Sequence, residues 1–240
     1  MITGGVAKYI ELLIDAKCYT KEKMLNYICR QDSYFITEGK DLLNQEFSSE
    51  HGTYFSILQI IASGKTKRSE IDSALQKDVG TFLQNLESKY ELIRRKKPLL
   101  AKQNSKVSTY EIRDKFLRFW FRFIYPFQSL IERQLFAPLR GNISNHYEDY
   151  SGRVLEQYFH DKVMESGQYT QVGNWWDRKG QNEIDLIAIN EFDHTGIIAE
   201  VKRNPKKINL QKLAEKAAAL PSKDFAPYHL QPHPLSLSDM

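Results

Sequence analysis

Apolar residues recur every three or four positions through much of the first half of the chain, which is the spacing of one face of an α-helix. This spacing predicts a helical segment over residues 1–50. Three short helical patterns separated by tight turns follow, and two β-prone segments come next, at residues 90–94 and 107–112. Three short helices and a hairpin predict a winged-helix-like module over residues 51–125, with the polar hairpin loop as its wing.

The last third of the chain has a different pattern, in which strand-like alternation replaces helical spacing. Three strand-like segments lie between two helical ones, which predicts an αβββα domain over residues 149–240 after an irregular or helical linker at 126–148. The proline-rich tail predicts no regular structure beyond one short strand near Tyr228. The predicted elements are a helix at 150–166, strands at 169–175, 183–189 and 196–202, and a helix at 208–220.

The composition is that of a folded globular protein. Hydrophobic residues are 41% and charged residues 27% of the 240 residues, and this length is sufficient for two domains. We therefore predict an α+β protein with an N-terminal all-helical segment and winged-helix module, followed by the αβββα domain. No segment approaches the roughly 18–20 apolar residues of a membrane span, and no signal peptide pattern is present, so we predict a cytoplasmic protein. Cys18 and Cys29 lack the spacing of a zinc site or a disulfide framework.

Three ionisable residues interrupt the apolar pattern of two predicted strands. Asp185 lies between Ile184 and Leu186, so the alternation of side chains places its carboxylate on the face opposite to theirs. Glu200 and Lys202 share one face at the end of the following strand. Charges at the end of a buried strand need a compensating partner. If the two strands are neighbours, Asp185 and Glu200 can share one cation.

A pair of carboxylates in this position suits a hard divalent cation. Mg²⁺ prefers one or two carboxylates together with waters and substrate phosphate oxygens. A lysine beside the ion would orient the nucleophile or stabilise the charge that develops during phosphodiester hydrolysis. We therefore predict a Mg²⁺ site at Asp185 and Glu200, with Lys202 beside it. The alternative is that these residues form ordinary ion pairs at a solvated strand end.

Asp185, Glu200 and Lys202 form the pattern D-x(n)-E-x-K, which resembles the PD-(D/E)XK nuclease superfamily. A proline often precedes the aspartate region in such nucleases, whereas Ile184 precedes it here. A longer stretch resembles the C-terminal part of prokaryotic AAA-type ATPases that carry a DUF234 region. The segments that carry this resemblance are GRVLEQYF, GNWWDRKGQNEIDLIAI and GIIAEVKRNPKKI, then upstream GGVAKYIELL, YFSILQIIASGKTKRSEI and STYEIRDKFLRFWFRFIYP, and the terminal LSLSDM.

The resemblance implies a restriction-endonuclease-like fold for the αβββα domain. It also implies that Glu156, on the helix before the strands, joins Asp185, Glu200 and Lys202 in the catalytic set. Residues 1–50 would then be the remnant of an ATPase lid or linker, and the ATPase domain itself would be a separate or missing partner. We accordingly expect the chain to be part of something longer, through truncation, a split gene or expression of a fragment.

No ATP site is expected in this chain. The segment Gly64-Lys65-Thr66 matches the end of a phosphate-binding loop, but Gln59 stands where the motif requires its first glycine. The residues before it have a helical rather than a strand-like pattern. The nucleotide-binding chemistry that the family resemblance implies therefore lies outside this sequence.

Basic residues cluster at the predicted wing, at the first turn of the winged-helix module and beside the carboxylates. The net charge of +4 permits binding to a polyanion without arguing for it, so local clusters must carry that interpretation. Such clusters neutralise nucleic-acid phosphates, although a solvated charged loop is the plain alternative. The predicted nucleic-acid-binding residues are Lys67, Arg68, Arg94, Arg95, Lys96, Arg178, Lys179 and Arg203.

Two functions follow from these patterns. The first is a module that binds nucleic acid, most simply DNA, through the winged helix and cleaves it with a Mg²⁺-dependent nuclease-like site. The second is a catalytically inactive module of the same fold that binds DNA or another protein for an ATPase. Divalent-ion binding that depends on Asp185 and Glu200 discriminates between them.

Overall fold

The computed structural model describes residues 2–44, 47, 51–102, 105 and 107–240. The chain forms two compact units, of which the first comprises Met1–Lys96 and Thr109–Tyr147 and the second Lys97–Ser108 and Glu148–Met240. Helices fill most of the first unit and a sheet forms the second, so the predicted α+β class is confirmed. The end of the predicted segment 1–50 and the loop residues Gln103 and Asn104 lie outside the described residues.

Helices dominate the first unit, as the three-to-four-residue spacing predicted. Two of them begin after side-chain caps: the Thr20 hydroxyl accepts a hydrogen bond from the Lys23 amide (3.3 Å), and the Asp114 carboxylate accepts one from the Leu117 amide (2.6 Å). The helices are α1 (Ala7–Asp15), α2 (Lys21–Ile28), α3 (Tyr34–Asn44), α4 (His51–Ser63), α5 (Arg68–Leu75), α6 (Gly80–Ser88), α7 (Lys115–Phe123) and α8 (Gln128–Glu132).

The core of the first unit is built around α7, the most aromatic helix. Six of its nine residues are buried, and Nε1 of Trp120 donates a hydrogen bond to the carbonyl of Ile36 (2.8 Å). Its apolar side chains are therefore matched to a protein interior. Among the helices that the structure describes, none is both long and apolar enough to cross a membrane.

An antiparallel hairpin follows α6 in the first unit. It consists of β1 (Ile93–Lys96) and β2 (Thr109–Ile112), and its register places Arg94 opposite Glu111. The order α4, α5, α6 and hairpin agrees with the predicted elements. The assignment of this group to the winged-helix class stays a prediction.

A four-stranded sheet forms the centre of the second unit. Its strand order is β3-β4-β5-β6, with antiparallel pairing of β3 to β4 and β4 to β5 and parallel pairing of β5 to β6. The second half of a 30-residue helix precedes the sheet, and most of the predicted linker 126–148 lies in helices. The elements are α9 (Phe136–Glu165), β3 (Gln171–Trp176), β4 (Glu183–Asn190), β5 (Thr195–Lys202), α10 (Leu210–Ala218), α11 (Ser222–Phe225) and β6 (His229–Ser236).

The last strand corrects the prediction for the tail. Only one short strand was expected near Tyr228, whereas β6 has eight residues and contains Pro232 and Pro234. These prolines are two residues apart, so their missing N–H groups point to the same side of the strand. Because β6 is an edge strand, that side can face away from β5 without breaking the ladder. The domain is thus αβββα with an added parallel strand.

The connection between β1 and β2 includes two leucines that contact the sheet of the second unit. Its residues Lys97–Ser108 belong to the second unit, where the Leu99 amide donates to the carbonyl of Asn174 on β3 (2.8 Å). The side chains of Leu99 and Leu100 pack against the core of that unit, and Leu99 covers Gly173. The predicted wing loop therefore contributes apolar contacts to the sheet domain. The predicted domains, 51–125 and 149–240, place residues 97–108 in the first of the two, whereas the structure groups them with the second unit.

Two glycines of the second unit should respond in opposite ways to alanine. A Cβ at Gly196 would lie 2.5 Å from the carbonyl oxygen of Ala188 and 2.8 Å from Leu230 Cδ2, so β5 must shift, whereas a Cβ at Gly152 in α9 would meet nothing within 4 Å. Gly196→Ala should lower the free energy of unfolding by about 1–3 kcal/mol. Gly152→Ala should raise it by about 0.5–1 kcal/mol. Urea denaturation of both variants tests this, and equal effects would contradict the packing described.

Candidate functional site

The predicted carboxylates meet at one end of the sheet. The last backbone pair of β4 with β5 is Leu186 with Ala199, so Asp185 and Glu200 occupy the next facing positions. Their side chains are only 12% and 11% exposed. Two carboxylates are therefore held close together on adjacent strands, with most of their surface removed from water.

The Asp185 carboxylate continues the ladder where the backbone pairing stops. Its Oδ2 accepts hydrogen bonds from the Val201 amide (2.9 Å) and from Nζ of Lys202 (3.1 Å). A carboxylate that accepts a rigid backbone donor has little rotational freedom. The direction of the Asp185 side chain is thus determined by β5.

The Glu200 carboxylate is held by the turn that follows β5. Its Oε2 accepts a hydrogen bond from the Asn209 amide (2.9 Å), and its Oε1 lies 3.5 Å from Nζ of Lys202. Asn209 in turn begins α10, because its side chain accepts from the Lys212 amide (3.0 Å). Asn209 therefore both caps α10 and holds the Glu200 carboxylate.

Lys202 bridges the two carboxylates electrostatically. Partial burial of the ammonium lowers its pKa, but the nearby charges of Asp185, Glu200 and Glu156 outweigh burial and raise the pKa above its ordinary 10.5. Lys202 is therefore fully charged at neutral pH. The contribution from Glu156, a half-buried residue of α9, brings the fourth predicted residue into the same electrostatic group.

A β-bulge lies at the first carboxylate. The register of β3 against β4 shifts between Gly173 and Trp175, so two residues of β4, Asp185 and Leu186, oppose the single residue Asn174. An extra residue in one strand interrupts the ladder and changes the direction of the side chains beside it. Asp185 therefore sits at an irregular point of an otherwise regular sheet.

Two residues that the sequence did not identify contact Asp185 at this bulge. Its backbone carbonyl accepts hydrogen bonds from Nδ2 of Asn174 (2.6 Å) and Nε2 of His160 (3.0 Å). His160 had one signal, because it follows Glu156 by four residues and shares its helix face. Asn174 had none, since nothing in one strand's sequence announces a bulge in its neighbour.

The donor atoms of this group are of the kind that a hard divalent cation binds. Asp185 and Glu200 supply oxygen atoms from two carboxylates, which is the protein contribution that Mg²⁺ commonly uses. Within the described parts of the chain, no group of three or more Asp, Glu, His or Cys side chains is placed to hold a metal. Two carboxylates thus fit a hard cation that keeps several waters or phosphate oxygens as its other ligands.

Cations flank the carboxylates to different degrees. Arg178 and Lys179 are exposed on the turn between β3 and β4, at the end of the sheet where Asp185 lies. Arg203 is half-buried and donates from its guanidinium to the buried hydroxyl of Ser151 (2.6 Å). Of these three predicted residues, Arg178 and Lys179 are thus the exposed ones.

Three of the five predicted cations of the first unit contact acidic residues. Arg94 and Lys96 both contact Glu111, the latter at 3.4 Å. Burial raises the pKa of Glu111, but Lys96, Arg94 and Arg118 outweigh it and lower the pKa overall.

Arg68 contacts two carboxylates, at 3.5 Å from Asp72 and 2.9 Å from Asp78. Of the other two predicted residues, Lys67 is half-buried and Arg95 is exposed. The predicted wing and first turn therefore carry less uncompensated charge than their sequence suggests.

Comparison with known proteins identifies a family over part of the chain. Residues 120–213 match DUF234, a family described as archaeal and bacterial proteins of unknown function. This part of the chain, the DUF234 region, is therefore similar to that family, and it covers less than half of the chain. It contains all four predicted site residues, and the resemblance inferred from the sequence is confirmed to this extent. No solved structure matches the chain.

An uncharacterized protein of Methanocaldococcus jannaschii is similar over most of the chain. It is 33% identical over 218 residues, which cover 84% of this chain and 48% of the relative. The chain thus spans about half the length of the curated relative that it matches. The relation to ATPases and to nucleases stays a prediction.

Proposed function

We propose that the DUF234 region and its sheet act as a metal-dependent, nuclease-like phosphodiesterase on nucleic acid. The observation that carries this proposal is the convergence of Asp185, Glu200 and Lys202 at the end of two adjacent strands, with Lys202 Nζ 3.1 and 3.5 Å from the two carboxylates. Glu156 adds a fourth charge to the group. Placing two poorly hydrated carboxylates beside each other is unfavourable unless a cation is shared.

The chain's own residues would divide the work of hydrolysis. Asp185 and Glu200 would hold Mg²⁺, which, when bound, lowers the pKa of water and neutralises phosphate charge. Lys202 would place a permanent positive charge beside the phosphate and stabilise the negative charge that develops on its oxygens. Glu156 would hold Lys202 in its charged form through its own negative charge.

Nucleic acid is the proposed substrate because exposed cations lie beside the carboxylates. The Arg178 and Lys179 side chains lie on the turn next to the site, where the phosphates that flank a scissile bond must pass. The winged-helix-like module of the first unit is proposed as an additional binding element for DNA. An AAA-type ATPase region is proposed as its partner.

Removing the turn cations should weaken DNA binding in a salt-dependent way. Arg178→Ala combined with Lys179→Ala should reduce the slope of log affinity against log salt by about 1–2, because up to two phosphate contacts are lost. Lys223→Ala is the matched control, since Lys223 is exposed on α11, away from the carboxylates. Fluorescence anisotropy at several salt concentrations gives the slopes. An unchanged slope in the double variant would remove these two residues from the proposed interface.

The decisive experiment for the proposed function is cleavage by the full chain. Labelled single-stranded and double-stranded DNA and RNA are incubated with the protein in Mg²⁺, in Mn²⁺ or in a chelator. Cleavage that needs the metal and stops in the chelator is the expected result. Absence of cleavage on all four substrates, with DNA binding retained, would favour the second function.

That second function is a non-enzymatic module that binds nucleic acid or a partner protein. One observation favours it: Lys202 already contacts both carboxylates, so part of their negative charge is compensated without a metal ion. A structural cluster of this kind would show no increase in thermal stability on adding Mn²⁺. The two functions therefore differ in a measurement that needs no substrate.

A further inference from the structure

We propose that Asn174 and His160 are positioning residues that hold the Asp185 backbone in its β-bulge, so that the Asp185 carboxylate faces Glu200. Both donate to the Asp185 carbonyl, at 2.6 and 3.0 Å. The expected effect of these residues on metal binding rests on the proposed function. Their control of the direction of the Asp185 side chain does not depend on it.

The bulge creates the need for these two donors. Because Asp185 is one of two residues that oppose Asn174, the regular β3–β4 ladder is interrupted at this point. A buried carbonyl left without a partner is unfavourable, because it loses the hydrogen bonds that it makes with water in the unfolded chain. A carbonyl oxygen has two lone pairs, and one donor from β3 and one from α9 can occupy both.

Both donors are buried, which supports a role in hydrogen bonding to the Asp185 carbonyl. Asn174 is 6% exposed and His160 is 8% exposed. The Oδ1 atom of Asn174 has no hydrogen-bond partner among the described residues. A leucine would fill the same space without burying an unsatisfied acceptor. The amide at position 174 is therefore explained by its Nδ2 bond to Asp185 and not by packing.

The side-chain carboxylate of Asp185, in contrast to its carbonyl, belongs to the candidate site. The Asp185 carboxylate meets the Val201 amide at 2.9 Å, where the backbone pairing of β4 with β5 has ended. Slippage of a strand by one residue sends its side chains to the other face. If the bulge relaxed toward regular pairing, the carboxylate would leave Val201 and Glu200. The Val201 amide is therefore a direct reporter of the Asp185 position.

Hydrogen exchange of the Val201 amide in the full chain tests the inference. His160→Leu and Asn174→Leu should each accelerate exchange about tenfold, as expected for one lost hydrogen bond. His160→Gln should remain close to wild type, because its amide nitrogen can donate from a similar position. Asp185→Ala gives the exchange rate with the bond absent.

Phe225→Leu separates positioning from general loss of stability. Phe225 is 5% exposed in the core that contains Trp175 and Ile184, and it lies on α11, which bears neither His160 nor Asn174. It should lower the melting temperature while leaving Val201 exchange within about twofold of wild type. If His160→Leu does not fold, Asn174→Leu carries the test. Unchanged Val201 exchange in a folded His160→Leu or Asn174→Leu variant would overturn the inference.

Affinity for Mn²⁺, measured by calorimetry, provides the second readout. In the variants that accelerate Val201 exchange, the Kd for Mn²⁺ should rise at least about tenfold, and His160→Gln should restore it. Wild-type protein that binds no Mn²⁺ would contradict the proposed function alone, and the exchange data would still decide the positioning role. Faster Val201 exchange with an unchanged Mn²⁺ Kd would refute the link between positioning and metal.

Discussion

Asp185→Ala is expected to reduce metal-dependent cleavage by about a thousandfold, the largest effect on activity among single substitutions in this chain. Asp185 is one of two carboxylates at the end of the β4–β5 pair, and its Oδ2 is also the partner of Val201 and Lys202. The substitution removes one of the two proposed carboxylate ligands and the contact that directs Lys202. Both losses weaken stabilisation of the same developing charge, so their effects on the cleavage rate should not be additive.

The matching variants separate chemistry from folding and from contamination. Glu200→Gln keeps the size of the side chain and should also lose most activity, whereas Asp224→Asn alters an exposed carboxylate on α11 and should retain it. Single-turnover cleavage rates with Mg²⁺ are the measurement, and circular dichroism checks the fold. If Asp185→Ala protein cleaved at the wild-type rate, the activity would belong to another site or to a contaminating nuclease.

Strand alternation drew attention to the carboxylates, but it did not describe β4 correctly. Ile184 packs in one core with Ile187 and Ile189, and that core does not include Leu186, because the bulge at Asp185 interrupts the period of two. On β5, Lys202 Nζ lies 3.5 Å from Glu200, as expected for two residues that share a face. The prediction that Asp185 and Glu200 meet depended on the two strands being neighbours, and β4 and β5 pair directly.

The positioning contacts could not be predicted because they depend on two strands at once. The bulge that sets the Asp185 backbone is a property of the register between β3 and β4, and no single segment encodes it. The same is true of Leu99, whose amide bonds Asn174 across a long sequence separation. Local patterns report on which face a residue occupies, whereas register and segment exchange are decided by packing.

The tail shows how a local rule can mislead. Prolines at positions 232 and 234 reduce the propensity for a strand, and that reasoning predicted little structure. At the edge of a sheet the rule changes, because only every second N–H is needed for the ladder. β6 uses this freedom and pairs with the whole of β5, from Thr195 to Lys202.

Lys202→Met is expected to have the largest effect on stability in the absence of divalent ions. It removes the ammonium that compensates Asp185 and Glu200, whose side chains are 12% and 11% exposed. Breaking a fully buried pair destabilises by about 3–5 kcal/mol, and the 35% exposure of the Lys202 side chain reduces this to about 2–3 kcal/mol. Because the pKa of Lys202 is raised, this contribution is present at neutral pH and is lost only above pH 10.5.

Divalent ions should reverse that loss if the two carboxylates form a metal site. Mn²⁺ at about 100 times its Kd stabilises a folded state by about 2.7 kcal/mol, so it should restore most of the stability of Lys202→Met. Lys206→Met is the matched control, since Lys206 is an exposed lysine of the following turn. Thermal unfolding with Mn²⁺ and with a chelator gives the comparison. Recovery confined to Lys202→Met would mean that lysine and metal serve the same carboxylates, whereas no recovery would identify Asp185, Glu200 and Lys202 as a structural ion cluster.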